Sequence, residues 1–184
     1  MRKLILALTM FVPMQAYAGD AGFAFLKIVP GARPSGMSTV GLAVEGDLQS
    51  LALNPAGVKL KKDYELTATH VQLFEDMRLE NLGFAHGFKG GTLAYFLTWI
   101  NEGTQEGRDT NRQLTSSFSN NEYAGGLSYA HPFGEGSLGV TLKAVNSHIG
   151  QESGTGGAVD AGVQYPVKGF KVGASVLNLG KAPK

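Results

Sequence analysis

From Tyr64 to Leu179 the chain divides into segments of about ten residues in which apolar side chains alternate with polar or small ones. A period of two places successive side chains on opposite faces of a strand. Roughly seven such segments are readable: Tyr64 to Leu73, Arg78 to Phe88, Gly91 to Asn101, Glu122 to Pro132, Ser137 to Ile149, Gly156 to Pro166 and Phe170 to Leu179. In the fifth, Leu138, Val140, Leu142 and Ala144 share one face, and Gly139, Thr141 and Lys143 share the other. The sixth sets Val159, Ala161, Val163 and Tyr165 against Asp160, Gly162 and Gln164. The seventh sets Val172, Ala174 and Val176 against Lys171, Gly173 and Ser175. The pattern predicts an all-β, antiparallel fold whose two faces meet different surroundings.

The segment length matches strands of about 9 to 11 residues that cross an outer membrane. The connections differ in length: Lys89-Gly90, Gly134-Glu135-Gly136 and Val167-Lys168-Gly169 read as tight turns, whereas Glu102 to Asn121 is long and polar. Outer-membrane barrels pair short periplasmic turns with longer external loops, which puts the loops around Glu75, Asp109 and Ser153 outside. Tyr64, Tyr95, Trp99, Tyr123, Tyr129 and Tyr165 gather near segment ends, as interfacial girdles require. A soluble β-sandwich accounts for the alternation and the strand-end aromatics as well, and the leader weighs against it.

That leader is Arg2 and Lys3, the apolar run Leu4 to Met14, and Ala16-Tyr17-Ala18 before Gly19. Its order is that of a secretory signal peptide, residues 1–18, with the mature chain beginning at Gly19. The run is shorter than the roughly 20 apolar residues of a spanning helix, and charge, Gly or Pro interrupts every later apolar run. Any membrane crossing therefore uses strands. There is no cysteine, which suits an oxidising export route. A net charge of +1 with dispersed Lys and Arg gives no footprint for nucleic acid. Gly, at 26 of 184 residues, is about twice its usual share and suits strands joined by tight turns.

Residues 19–60 lack sustained alternation and hold Pro30, Pro34 and Pro55, so they read as a compact plug or hatch. Phe23 to Ile28 is expected to form a strand stub and Leu48 to Leu53 a helical turn, closed by the Asn54-Pro55 corner. Residues 61–184 then carry the barrel strands.

The ordered set Gly22-Phe23-Ala24-Phe25-Leu26-Lys27-Ile28, Gly31-Ala32-Arg33, Gly36-Met37 and Leu51-Ala52-Leu53-Asn54-Pro55-Ala56-Gly57 resembles the PorV/PorQ family. The likeness continues through Gly125 to Tyr129, Val140 to Lys143 and Val176 to Gly180. That family is similar in turn to FadL-type channels for long-chain fatty acids, which carry an Asn-Pro-Ala motif in an N-terminal hatch. The resemblance implies an antiparallel transmembrane β-barrel in the cell outer membrane, with Asn54, Pro55, Ala56 and Gly57 as the hatch motif. Read locally, the same tetrapeptide is also an ordinary turn signal. Members of the family form closed barrels with about twice this number of strands, so the chain is expected to make about half a barrel. An open sheet leaves unpaired backbone at both edges, which hydrocarbon does not tolerate. Closure then calls for a missing barrel half or a second copy.

Candidate chemistry is sparse. His70, His86, His131 and His148 lack the spacing of a metal site, and no Gly-x-Ser-x-Gly elbow or other nucleophile motif is present. No catalytic, metal or cofactor residue is named, and no enzyme activity is expected. Gly150 to Gly157 reads as a flexible external loop, and Glu75, Asp76, Glu102, Glu106 and Asp109 as solvated loop charge. Lys143, Asp160, Gln164 and Lys171 fall opposite the apolar stripes and are the candidate lumen-facing polar residues, with Lys143 and Asp160 within reach of each other across adjacent strands. Two functions follow from the resemblance: FadL-like transport of hydrophobic small molecules, or a PorV-like part in protein secretion and surface attachment that binds exported cargo. Outer-membrane lipid is the expected surrounding in both.

Overall fold

A computed structural model describes residues 24–38, 40–60, 63–150 and 152–181, so the leader and its cleavage point lie outside the described residues. Seven strands form one antiparallel sheet in chain order: β1 Tyr64–Gln72, β2 Arg78–Phe88, β3 Gly91–Gln105, β4 Phe118–Phe133, β5 Gly136–Ile149, β6 Glu152–Val167 and β7 Phe170–Lys181. At one end the strands are joined by two-residue turns. Lys89 and Gly90 both have positive φ, as do Lys168 and Gly169, and Gly134 has φ 58°. Positive φ at the first turn position matches the right-handed twist of the flanking strands.

The other end departs from the sequence reading. The long polar loop expected over Glu102 to Asn121 is largely hairpin, because β3 and β4 resume pairing at Thr104↔Ser119 and Gln105↔Phe118 after a bulge between Asn101 and Thr104. Arg108 bridges Leu114 beyond the strands. Residues 104–119 are exposed on both faces apart from half-buried Gly107, so no apolar period marks them. The flexible loop expected over Gly150 to Gly157 is also mostly strand: Ile149 pairs Glu152, and β6 runs on from there. Gly and Ser at alternate positions hide a strand that packs little.

One sheet face is covered by residues 24–60, here called the hatch segment. It contains no strand among its described residues, only short turns: 3-10 helices at Ala24–Lys27, Leu48–Ala52 and Pro55–Val58, and one short α-helix, α1, at Ala32–Gly36. The strand stub expected over Phe23 to Ile28 is therefore a 3-10 turn. Its Phe25 is buried against the sheet with Leu26 and Ile28 half-buried beside it, and Ile28 N–H donates to Phe25 O at 2.9 Å, which closes the turn.

Two apolar clusters join hatch and sheet. Towards the hairpin end, Phe25 packs with Leu79, Ile100, Ala124 and Val145. Towards the tight-turn end, Leu48, Leu51 and Val58 pack on Ala85, Ala94 and Ala130. The buried strand residues of the second cluster are all alanine, with half-buried Phe96 beside them, so the hatch comes close to the sheet there.

The sheet curls around this segment. Leu48 N–H donates to Glu65 Oε1 on β1 at 3.0 Å, and Leu53 O accepts from Ser175 Oγ on β7 at 2.7 Å. Six strand spacings would hold β1 and β7 about 29 Å apart in a flat sheet, whereas the 3-10 turn from Leu48 to Leu53 covers about 10 Å. Among the described residues β1 and β7 do not pair with each other, and the sheet is not closed.

Candidate functional site

The hatch motif sits where the segment meets β5, β6 and β7. Asn54 is fully buried and extended, at φ −158°, and caps the 3-10 turn that starts at Pro55. Its Oδ1 accepts from Ala56 N–H at 3.0 Å. Its Nδ2 donates to Leu42 O at 2.7 Å and to Val163 O on β6 at 3.1 Å. One side chain thus caps its own turn, ties the turn to the hatch backbone at Leu42 and fastens it to the wall. A buried amide needs all of those partners, since each polar group left unpaired costs about 1–3 kcal/mol.

The wall meets the motif with bare backbone. Gly139 and Gly162 are register partners on β5 and β6. A Cβ on Gly139 would collide with Pro55 and Ala56 backbone, and one on Gly162 with the Asn54 amide. Gly173 on β7 gives Leu42 the same room. Around this glycine patch, polar side chains reach inward: Ser137 Oγ donates to Ala56 O at 2.9 Å. Gln164 Nε2 donates to Leu42 O and Val44 O, each at 2.8 Å. Lys171 Nζ lies 2.8 Å from Glu45 Oε1, and Leu60 N–H donates to Thr92 Oγ1 at 3.1 Å.

Of the four lumen-facing residues expected from sequence, Gln164 and Lys171 hold the hatch and the other two form a separate cluster. Lys143 Nζ is 2.7 Å from Asp160 Oδ2, with side chains 7% and 1% exposed. The contact is an ion pair and not an aligned hydrogen bond, for Nζ donates to Asn178 Oδ1 at 2.8 Å and Asp160 Oδ2 accepts no hydrogen bond. Asp160 Oδ1 accepts from Asn178 N–H at 2.7 Å. Asn178, at φ 58°, is the extra residue of a bulge in β7 opposite Asp160. The carboxylate therefore satisfies the donor that the bulge frees.

Between hatch and wall lies a cleft with about 600 Å³ of unfilled space, counting the part open to solvent. Phe25, Ile28, Leu48, Leu51 and Phe96 give it an apolar lining, Thr67, Asn81 and Thr98 supply polar edges, and Lys143 stands at its wall. A mixed lining of that kind suits a small-molecule site. Sequence reasoning missed the cleft, because its residues come from six separate stretches with no shared spacing. It also missed Glu65, Thr92, Ser137 and Ser175 as anchors. The inward glycines Gly139, Gly162 and Gly173 on three successive strands were a readable signal for close approach by another backbone.

The outward face is the reverse of a soluble sheet. Leu138, Val140 and Leu142 on β5, Val159 and Val163 on β6, and Leu82, Tyr95, Leu97 and Leu127 on β2 to β4 are exposed, whereas Thr141 and Asp160 are fully buried on the inward face. Near the tight turns, Phe84, His86, Phe88, Tyr95, Tyr129 and His131 form a chain of ring contacts with centroids 5.7 to 6.5 Å apart. Towards the other end, Trp99 lies opposite Tyr123, and His70 Nδ1 is 2.6 Å from Glu80 Oε1. Among the described residues no group of three or more His, Asp or Glu is placed to hold a metal ion, and His148 is exposed at the end of β5. No family model, no curated protein and no solved structure matches the chain.

Proposed function

We propose that the chain is the hatch-bearing part of an outer-membrane β-barrel of the FadL-like kind, related to PorV and PorQ, and that it passes hydrophobic small molecules across that membrane. The observation that carries this reading is the inverted sheet: its solvent-side face is apolar, and its polar and small residues turn towards the hatch. Water penalises such an outward face, whereas lipid welcomes it. On β6 the stripe from Val159 to Val167 covers about 27 Å along the strand, which at a strand tilt of about 40° spans about 20 Å of the apolar band of about 25 Å on an outer-membrane barrel. The aromatic chain near the tight turns supplies a girdle at that interface. The cleft beneath the hatch gives a hydrophobic molecule a place to dwell. Sheet edges in hydrocarbon are costly, so β1 and β7 take up further strands, from a missing barrel half or a second copy.

The test is heat-modifiability and membrane fractionation of the full chain expressed with its leader. A mobility shift on boiling and recovery in the outer membrane are expected. Leu142→Arg should abolish both, because Arg at mid-bilayer on the lipid face costs about 2–4 kcal/mol. Soluble, unshifted protein that tolerates Leu142→Arg would sink the membrane reading.

A second reading, docking of exported protein cargo, draws on the β3–β4 hairpin. Its tip is exposed yet shaped, with Asp109 Oδ1 accepting from Asn111 N–H at 2.9 Å and Gln113 N–H at 2.8 Å. Crosslinking from residue 111 that captures secreted surface proteins, and fails when residues 106–117 are replaced by a short turn, favours this branch over transport.

A further inference from the structure

The charge arrangement of the cleft narrows what it takes, an inference that rests on the cleft serving as the binding site. We propose that the cleft selects uncharged apolar molecules, alkanes, arenes or alcohols, and discriminates against carboxylates. Lys143 is the one charged side chain lining it among the described residues. Its ammonium is already committed to Asp160 at 2.7 Å and to Asn178 Oδ1 at 2.8 Å. Asp160 is in turn fixed by the Asn178 N–H of the β7 bulge, so it cannot turn away without leaving that N–H unpaired. The pair sums to zero charge. An entering carboxylate would lose its water and find a neutralised cation with Asp160 beside it, which is the unfavourable case for a buried ion. Asn81, a polar edge of the cleft, spends its Nδ2 on Thr98 Oγ1 at 2.7 Å. An ammonium has three N–H groups and Lys143 gives one of them to Asn178 Oδ1, so a neutral oxygen such as an alcohol still finds a donor there.

The full chain, extracted from membranes into amphipol, is loaded with the neutral fluorescent probe N-phenyl-1-naphthylamine and displaced at pH 8 with 1-octanol or octanoate. Octanol should displace the probe at a concentration at least ten-fold lower. Any greasy surface favours octanol, so the deciding variant is Asp160→Asn. It keeps an acceptor for the Asn178 N–H and leaves Lys143 unneutralised. Octanoate should then bind at least five-fold tighter, with octanol unchanged. Wild-type protein that prefers octanoate overturns the proposal, as does octanoate affinity that Asp160→Asn leaves unaltered while octanol still binds. Ala52→Trp fills the cleft and should abolish probe binding. Probe that binds this variant as well as wild type lies elsewhere, and that result removes the cleft reading itself and this inference with it.

Discussion

The two halves of the hatch segment are held differently: apolar packing holds both, and the second adds a set of hydrogen bonds to the wall. Residues 42–60 meet β5, β6 and β7 through hydrogen bonds from Asn54, Ser137, Gln164 and Ser175, across a patch of inward glycines. Residues 24–36 meet β2 to β5 through the apolar contacts of Phe25, beside the open cleft, and are tied to the other half by Arg33 Nη1 at 3.1 Å from Asp47 Oδ2. Polar bonds fix one register and distance, whereas apolar contact tolerates sliding. The contrast assigns anchoring to the second half and access to the cleft to the first.

The division is broken most directly from the wall side. Gly139→Val drives a side chain into Pro55 and Ala56 backbone, which has nowhere to retreat, and should cost roughly 4 kcal/mol and the heat-modifiable form. Asn54→Ala leaves Ala56 N–H without its cap and takes a donor from Val163 O and from Leu42 O, which keeps Gln164 Nε2, and should cost about 3 kcal/mol in urea unfolding. Phe25→Ala should cost about 2 kcal/mol, mostly lost transfer energy, because truncation there widens an existing cleft and seals no new cavity. It should also weaken retention of a cleft-bound probe, which Asn54→Ala would do only by unfolding. Arg33→Ala, at a pair whose Arg is largely exposed, should change stability by less than about 1 kcal/mol. Unfolding data that put Phe25→Ala above Asn54→Ala would reverse the assignment of anchor and access.

The strands were legible wherever one face is apolar. β2 is bounded as the alternation predicts, and the other strands begin or end within about four residues of it. The signal fails in the β3–β4 hairpin and at the start of β6, where both faces are polar or small and the backbone pairs without an apolar face to align it. In the hatch, Asn54 and Pro55 announce a turn, but nothing local tells that the amide reaches a carbonyl more than a hundred residues away on β6. Lys143 and Asp160 share a face by period alone. Their meeting with Asn178 depends on a bulge that the alternation of β7 conceals, since one inserted residue looks like a lapse in pattern.

The strand order has a polarity consequence. Each strand opposes its neighbours, and there are seven, so β1 and β7 point the same way. Two copies inserted in one orientation would bring the β7 edge of one beside the β1 edge of the other head to head, as parallel neighbours. A wall that stays antiparallel through both seams needs an odd number of additional strands, the first and last both running against β1 and β7. The direction of the two free edges thus acts as a rule of admission: an odd complement whose end strands oppose β1 and β7 keeps every seam antiparallel, and an identical copy facing the same side joins only through parallel seams.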